Sequence, residues 1–238
     1  MEEIQNLLSK TPLNLDKGFE THPFLIGAYN EKVGVKFRLP FEDQTLAFVL
    51  ISHPSMFENT FVPYLEAEGE NEFLTDPLDA CMKSLIHEAR THFHSSFPFI
   101  FYHDFDLHPN RRPRVLVQTA GHVSGAVHLY RSPNLNPVCL HPKYGGWFAL
   151  RGVFIFPNIS CPFLQIKEPP CLLKSIQDVE ELLILYNYHW KDGRYRDFIP
   201  VEERYSNLQI LYFKTLPSDR MPLLKKLFNK SNTYESKA

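Results

Sequence analysis

The chain is short of cysteines, carries almost no net charge and lacks a long apolar run, and each shortage closes off a class of function. Its four cysteines, Cys81, Cys139, Cys161 and Cys171, include no CxxC pair. They fit reduced thiols in a cytosolic protein and predict neither a disulfide framework nor a zinc site. Lys and Arg number 25 against 27 Asp and Glu. No basic field is left to hold a phosphate backbone, so nucleic acid is excluded as a partner. The longest uncharged apolar stretch, Gly152 to Pro162, is too short to span a bilayer and contains Pro157, Asn158 and Ser160. The opening MEEIQNLLSK is acidic and amphipathic, where a signal peptide is cationic and then apolar. A soluble, cytoplasmic protein with no membrane partner is expected.

The familiar catalytic signatures are missing too. No GxGxxG follows a strand, and there is no GxxxxGK[ST], no GxSxG elbow and no HExxH helix. His87, His92 and His94 are close in sequence, but His87 and His92 are not spaced four apart, as two ligands on one helical face would be. They read as solvated surface histidines.

What is present is a globular balance, 44% hydrophobic and 22% charged over 238 residues, enough for one sizeable core. TLAFVLIS at 45–52 reads as a strand buried on both faces. Ser55 is available to cap a helix carrying Phe57, Phe61, Tyr64 and Leu65. Asp76 and Pro77 open a firmer one, whose stripe is Leu78, Cys81, Met82, Leu85, Ile86 and Ala89. FPFIFYHDF at 97–105 and WFALRGVFIF at 147–156 read as strands. From Pro113 to Arg131 a helix is expected, with Leu116, Ala120, Val123, Val127 and Tyr130 inward. Gly121, Ser124, Gly125 and Ala126 would form a bare face that something flat could approach. Ser175 and Asp178 form a capping-box start. Further helices are expected at 201–214 and 218–228, and the polar tail 229–238 should fray. No repeat or composition break marks a second domain, so a single mixed α and β domain over 1–228 is predicted.

Three long strings decide the reading. HPNRRP at 108–113 continues through VQTAGHVSGA at 117–126; HPKYGGWFALRG occupies 141–152; YHWKDGRYRD and ERYS lie within 188–206. Together they resemble the intracellular cobalamin-trafficking enzymes of the CblC type, the methylmalonic aciduria and homocystinuria type C proteins, over about residues 15–228. The resemblance implies an α+β fold, a flavin-nitroreductase-like antiparallel sheet flanked by helices. It also implies cobalamin held base-off, with its dimethylbenzimidazole tail in a side pocket. Two reactions follow: decyanation of cyanocobalamin by reduced FAD or FMN, and transfer of the alkyl group of alkylcobalamins to glutathione. A CblD-type adaptor is the implied downstream partner. Asp106-x-His108 begins like the DxHxxG motif by which some B12 enzymes give cobalt a histidine, but Arg111 replaces the glycine, so ligation from below is not supported.

Carried over residue by residue, the cobalamin contacts fall on Asp104, Val115, Leu116, Val117, Gln118, Leu129, Tyr130, Arg131, Cys139 and Leu150. The glutathione arginines fall on Arg151, Arg196 and Arg220, whose forks and charge suit a doubly carboxylated thiol. The chain departs from the family at His128 to Arg131, where relatives often have tyrosines and then glutamine, a change that bears on the cap over the upper ligand.

Blander readings stand beside these. A buried arginine such as Arg151 ordinarily pairs with a carboxylate, although its signature string favours a ligand role. His122 is either a hydrogen-bonded core histidine or a site-lining one. Gly121 and Gly125 would serve helix packing equally well, Cys139 could be an inert thiol, and Trp147 and Trp190 are core or pocket wall. A non-catalytic cobalamin carrier and an ordinary flavin-bound nitroreductase are the competing functions.

Overall fold

The computed structural model describes residues 1–68, 76–93 and 97–225; His94 and the tail at 229–238 lie outside them. Among the described residues the strands run in chain order as β1 (Phe19–Leu25), β2 (Thr45–Ser52), β3 (Ile100–His103), β4 (His128–Ser132), β5 (Leu135–Leu140) and β6 (Ala149–Ser160). The α-helices there are α1 (Glu2–Ser9), α2 (Ile26–Lys32), α3 (Val62–Glu68), α4 (Pro77–His92), α5 (Val117–Val123), α6 (Ile176–Tyr188) and α7 (Asn207–Lys214), and 217–225 is also helical. Strands β1, β2, β6 and β3 form one antiparallel sheet in that order, and β4 and β5 pair as a separate hairpin. The architecture is therefore α+β, with two sheets where one was expected. No helix among the described residues is long and apolar enough to cross a membrane.

Every residue of β2 is buried, and the period of a strand explains why. Leu46, Phe48 and Leu50 face a core filled by Ile4 and Leu8 of α1 and the apolar stripe of α4, whereas Ala47 and Val49 face Tyr29 of α2 and Ala120 of α5. A strand covered on both faces must be apolar throughout. The α4 cap is as expected: the Asp76 carboxylate accepts from the Leu78 and Asp79 amides at 3.0 and 3.3 Å, and Pro77 opens the helix. The capping box of Ser175 and Asp178 also forms.

Three expectations need correction. The helix foreseen over 113–131 is only the seven-residue α5, because Gly125 takes φ +77° and closes it, after which the chain extends into β4. Tyr130 is thus a strand residue. The small residues pack against the chain itself: a Cβ on Gly121 would meet Val127 and Leu150 at 2.8 and 2.9 Å, and one on Gly125 would meet the Lys167 carbonyl at 2.4 Å. Ser55 caps nothing; its hydroxyl sits 3.2 Å from His53 Nδ1, and the next residues form a single π turn, Phe57–Phe61, ahead of α3. Finally, 201–206 is not helical, because Ser206 caps α7 through the Gln209 amide at 3.0 Å.

Candidate functional site

The short α5 and the β4–β5 hairpin together form one wall of an open cavity of about 470 Å³. Among the bonds that tie the wall together, Gln118 Nε2 donates to the Pro137 carbonyl at 3.0 Å, and Arg131 Nη2 donates to Thr119 Oγ1 at 3.1 Å. Val33, Phe37, Val115, Leu116, Val117 and Leu135 give the lining a large apolar share, and Lys32, Asp104, Gln118, Thr119, Arg131 and Ser132 are its polar points. An apolar concavity with few polar groups is what a large organic ligand requires. Six of the predicted cobalamin residues, Asp104, Val115, Leu116, Val117, Gln118 and Arg131, therefore meet at one surface.

The remaining five do not line this cavity. Leu129 and Cys139 lie in an apolar cluster behind the hairpin with Tyr144 and Phe148, and Leu150 packs on its edge. The Cys139 thiol is pushed up to about 12 by burial, which makes it inert at neutral pH. Tyr130 is held from the other side, its hydroxyl accepting from the Leu172 amide at 2.9 Å. His122 lines a smaller cavity of about 220 Å³ beside Lys32, Lys167 and Glu168. Its Nδ1 accepts from the Leu129 amide at 3.4 Å, and burial followed by the neighbouring His128 lowers its pKa.

Arg151 sits on the central strand β6, 7% exposed, beside a register shift between β2 and β6. Gly152 follows with φ +150°, and no side chain fits there, since a Cβ would come within 2.4 Å of the Tyr102 carbonyl on β3. Among the described residues the guanidinium makes one hydrogen bond, from Nε to Ser52 Oγ at 2.8 Å. Among the described residues no carboxylate lies within ion-pair distance of it. Asp79 and Asp104 feel its charge from farther off, which only partly offsets their desolvation. Burial, then repulsion from Asp76 and Asp104, raises Asp79 to about 6, and desolvation also raises Asp104. The ordinary way of satisfying a buried arginine is thus not used, and the fork keeps its capacity for an anion.

Arg196 and Arg220 stand over aromatic rings. The Arg196 guanidinium lies 5.4, 5.0 and 5.0 Å from the rings of Trp147, Tyr195 and Tyr205, and its Nη1 donates to the Gly146 carbonyl. It opens onto a cavity of about 120 Å³ walled by Trp147 and Trp190. Arg220 lies 4.8 Å over Tyr212 and 5.9 Å from Phe213, and pairs with Asp76 at 3.2 Å. Phe213 touches the Tyr205 ring at 5.5 Å, so a continuous aromatic patch joins the Arg196 and Arg220 positions. Arg196 and Arg220 thus meet one aromatic patch, from the turn at 194–197 and from the helical segment 217–225, whereas Arg151 reaches Ser52 from β6.

Sequence reasoning missed Ser52 and Asp79, and it offered Trp147 as core or pocket wall without joining it to Arg196. Trp147 is far from Arg196 along the chain, and no local pattern announces that it and Tyr205 meet that guanidinium.

Comparison with known proteins places the chain in a family. The model of the methylmalonic aciduria and homocystinuria type C family matches residues 18–224. A chicken (Gallus gallus) protein named cyanocobalamin reductase / alkylcobalamin dealkylase is 42% identical over 217 residues, covering 87% of this chain and 90% of that one. Its human (Homo sapiens) namesake is 39% identical over 220 residues, covering 87% and 76%. The crystal structure of a Caenorhabditis elegans B12-trafficking protein, CblC, superposes with a TM-score of 0.82 at 33% identity over 94% of both chains. This chain belongs to the methylmalonic aciduria and homocystinuria type C family.

Proposed function

We propose that the chain is a cyanocobalamin reductase and alkylcobalamin dealkylase, which binds cobalamin base-off and removes its upper axial ligand. The observation that carries the reading is a buried Arg151 with no carboxylate at ion-pair distance among the described residues, in a chain whose relatives bear those enzyme names. Asp104, Val115 to Gln118 and Arg131 touch the cobalamin, while Leu129, Tyr130, Cys139, Leu150 and His122 shape the surface from behind. With the lower nitrogen donor lost, the cobalt is easier to reduce and a better leaving group.

For alkylcobalamins the glutathione thiolate attacks the alkyl carbon. The carbon–sulfur bond forms as the cobalt–carbon bond breaks, and both electrons of that bond stay on the metal as cob(I)alamin. Arg151, Arg196 and Arg220 bind the peptide's carboxylates and favour the thiolate. For cyanocobalamin, reduced FAD or FMN supplies the electrons and cyanide departs. The chain has no glycine-rich phosphate cradle, which fits a flavin that visits as a co-substrate. The antiparallel sheet is consistent with a flavin-nitroreductase-like ancestry, and the domain spans 1–228. The free thiols Cys81, Cys139, Cys161 and Cys171 fit a cytoplasmic setting, where a CblD-type adaptor takes the product.

Anaerobic incubation with methylcobalamin and glutathione tests this directly. One S-methylglutathione per cob(I)alamin is expected. A base-off spectrum without any thioether would instead describe a carrier and overturn the enzymatic reading.

A further inference from the structure

We infer that Glu20 is a positioning residue, whose carboxylate anchors the 141–147 turn and through it sets Arg196; the functional consequence rests on the reading of Arg196 as a glutathione ligand. Glu20 lies on the edge strand β1, where two hydrogen-bonding groups and a more distant histidine converge on it. Tyr144 donates its hydroxyl to Oε1 at 2.8 Å, His22 Nε2 lies 3.1 Å from Oε2, and His141 Nε2 lies 3.8 Å from the same oxygen.

Glu20, His22 and His141 place their ligand atoms within 4.8 Å of one another, a spacing that a metal ion could use. The tautomer of His141 rules against that use. Its Nδ1 accepts the amides of Lys143 and Tyr144 at 3.1 and 3.4 Å, so the neutral ring carries its proton on Nε2, the atom a metal would need. The cluster is instead a carboxylate hub. Burial alone would raise Glu20, but the bonds from His22 and Tyr144 and the nearby His141 hold it at about 2, while burial lowers His141 to about 4. At neutral pH a charged carboxylate therefore faces a neutral His141 that donates toward it.

The hub grips one side of the turn. His141 and Gly145 exchange backbone bonds at 2.8 and 2.9 Å, and the Tyr144 ring stacks on His141 and His53 with centroids 4.6 and 5.4 Å away. The other side of the turn grips Arg196. The Gly146 amide donates to the Arg196 carbonyl at 2.9 Å, the Gly146 carbonyl accepts from the guanidinium, and the Trp147 ring lies against it. A Cβ on Gly146 would fall 2.8 Å from the Arg196 Cα, so the two segments are in full contact. The path from Glu20 to Arg196 runs through the buried Tyr144 side chain, the backbone of the 141–147 turn and the Gly146 contacts with Arg196.

The test compares Glu20→Gln, Tyr144→Phe, Arg196→Ala and the Glu20→Gln/Arg196→Ala pair. Both brace variants should raise the KM for glutathione in methylcobalamin dealkylation by about tenfold, the scale of one charge-assisted bond. Cobalamin affinity, kcat and flavin-driven decyanation should stay near wild type. The double variant should be no worse than Arg196→Ala alone, which global damage would not produce. A second readout is independent of glutathione: in a Trp190→Phe background, Trp147 emission should shift red and quench more readily with acrylamide in either brace variant. Tyr144→Phe keeps the carboxylate and both rings, so it reports even if Glu20→Gln fails to fold. Wild-type Trp147 emission in both would overturn the inference, as would an unchanged KM in both alongside a raised one in Arg196→Ala. If Arg196→Ala itself leaves the KM unchanged, the glutathione role falls, and Trp147 emission alone decides the brace.

Discussion

Replacing Arg151 by Ala removes a cation buried in the central sheet, and the structure sets the size of two separate effects. The first is on binding. The guanidinium has only Ser52 as a described hydrogen-bonding partner, so its remaining donors can go to a substrate carboxylate. Charge-assisted bonds contribute about 1.5–3 kcal/mol each, or roughly a tenfold to hundredfold rise in the KM for glutathione. The second is on stability. Ser52 loses its partner, and Asp79 and Asp104 lose the charge that moderates their desolvation. A cost of about 2 kcal/mol corresponds to a Tm lowered by roughly 4–8 °C for a domain of this size. The assay is a glutathione titration at saturating methylcobalamin, followed by the corrin spectrum under nitrogen, with Arg151→Lys as companion. Lysine keeps the charge without the fork, so it should recover most of the Tm and little of the KM. A KM within twofold of wild type in Arg151→Ala, with the protein folded, would refute the ligand role.

Other outcomes follow from single positions. Asp79→Asn should stabilise the protein at pH 7 and not at pH 3.5: a folded pKa of about 6, raised above the unfolded value, means the native state gives up stability as pH rises from about 4 to 6, and urea melts across that range check it. Gly152→Ala should cost about 2–4 kcal/mol, because φ +150° and the Tyr102 carbonyl leave no place for a methyl group, and a loss below 1 kcal/mol in the same melts would contradict the contact geometry. Val117→Trp should fill the α5 cavity and weaken cyanocobalamin binding by about tenfold or more with little change in Tm, as measured by spectral titration.

The parts of the fold that were legible are those where one local signal met no competitor. The continuous apolar run of β2 could only be a doubly covered strand, and Asp76 with Pro77 could only open a helix. The β1 strand was hidden by Pro23 and His22, tolerated there because β1 is an edge strand with free amide positions. The helix over 113–131 was overextended because Val127 and Tyr130 continue a helical spacing by coincidence; the left-handed Gly125 overrides it, and nothing in a single sequence separates a packing glycine from a capping one. At the site, the string around Arg151 marked the residue, but only the fold reveals that no carboxylate of the described residues meets it. The cage around Arg196 and the hub at Glu20 join segments brought together by the sheet and the 141–147 turn, so no sequence period could have foretold them.

The most direct measurement is an absorbance titration of cyanocobalamin and methylcobalamin with the purified protein. Visible bands moving to the base-off positions, saturating at one cobalamin per chain, are expected from a cavity that holds the corrinoid with its tail displaced. Bands that stay unchanged at saturating protein would contradict cobalamin binding, and with it the role given to every residue of the site.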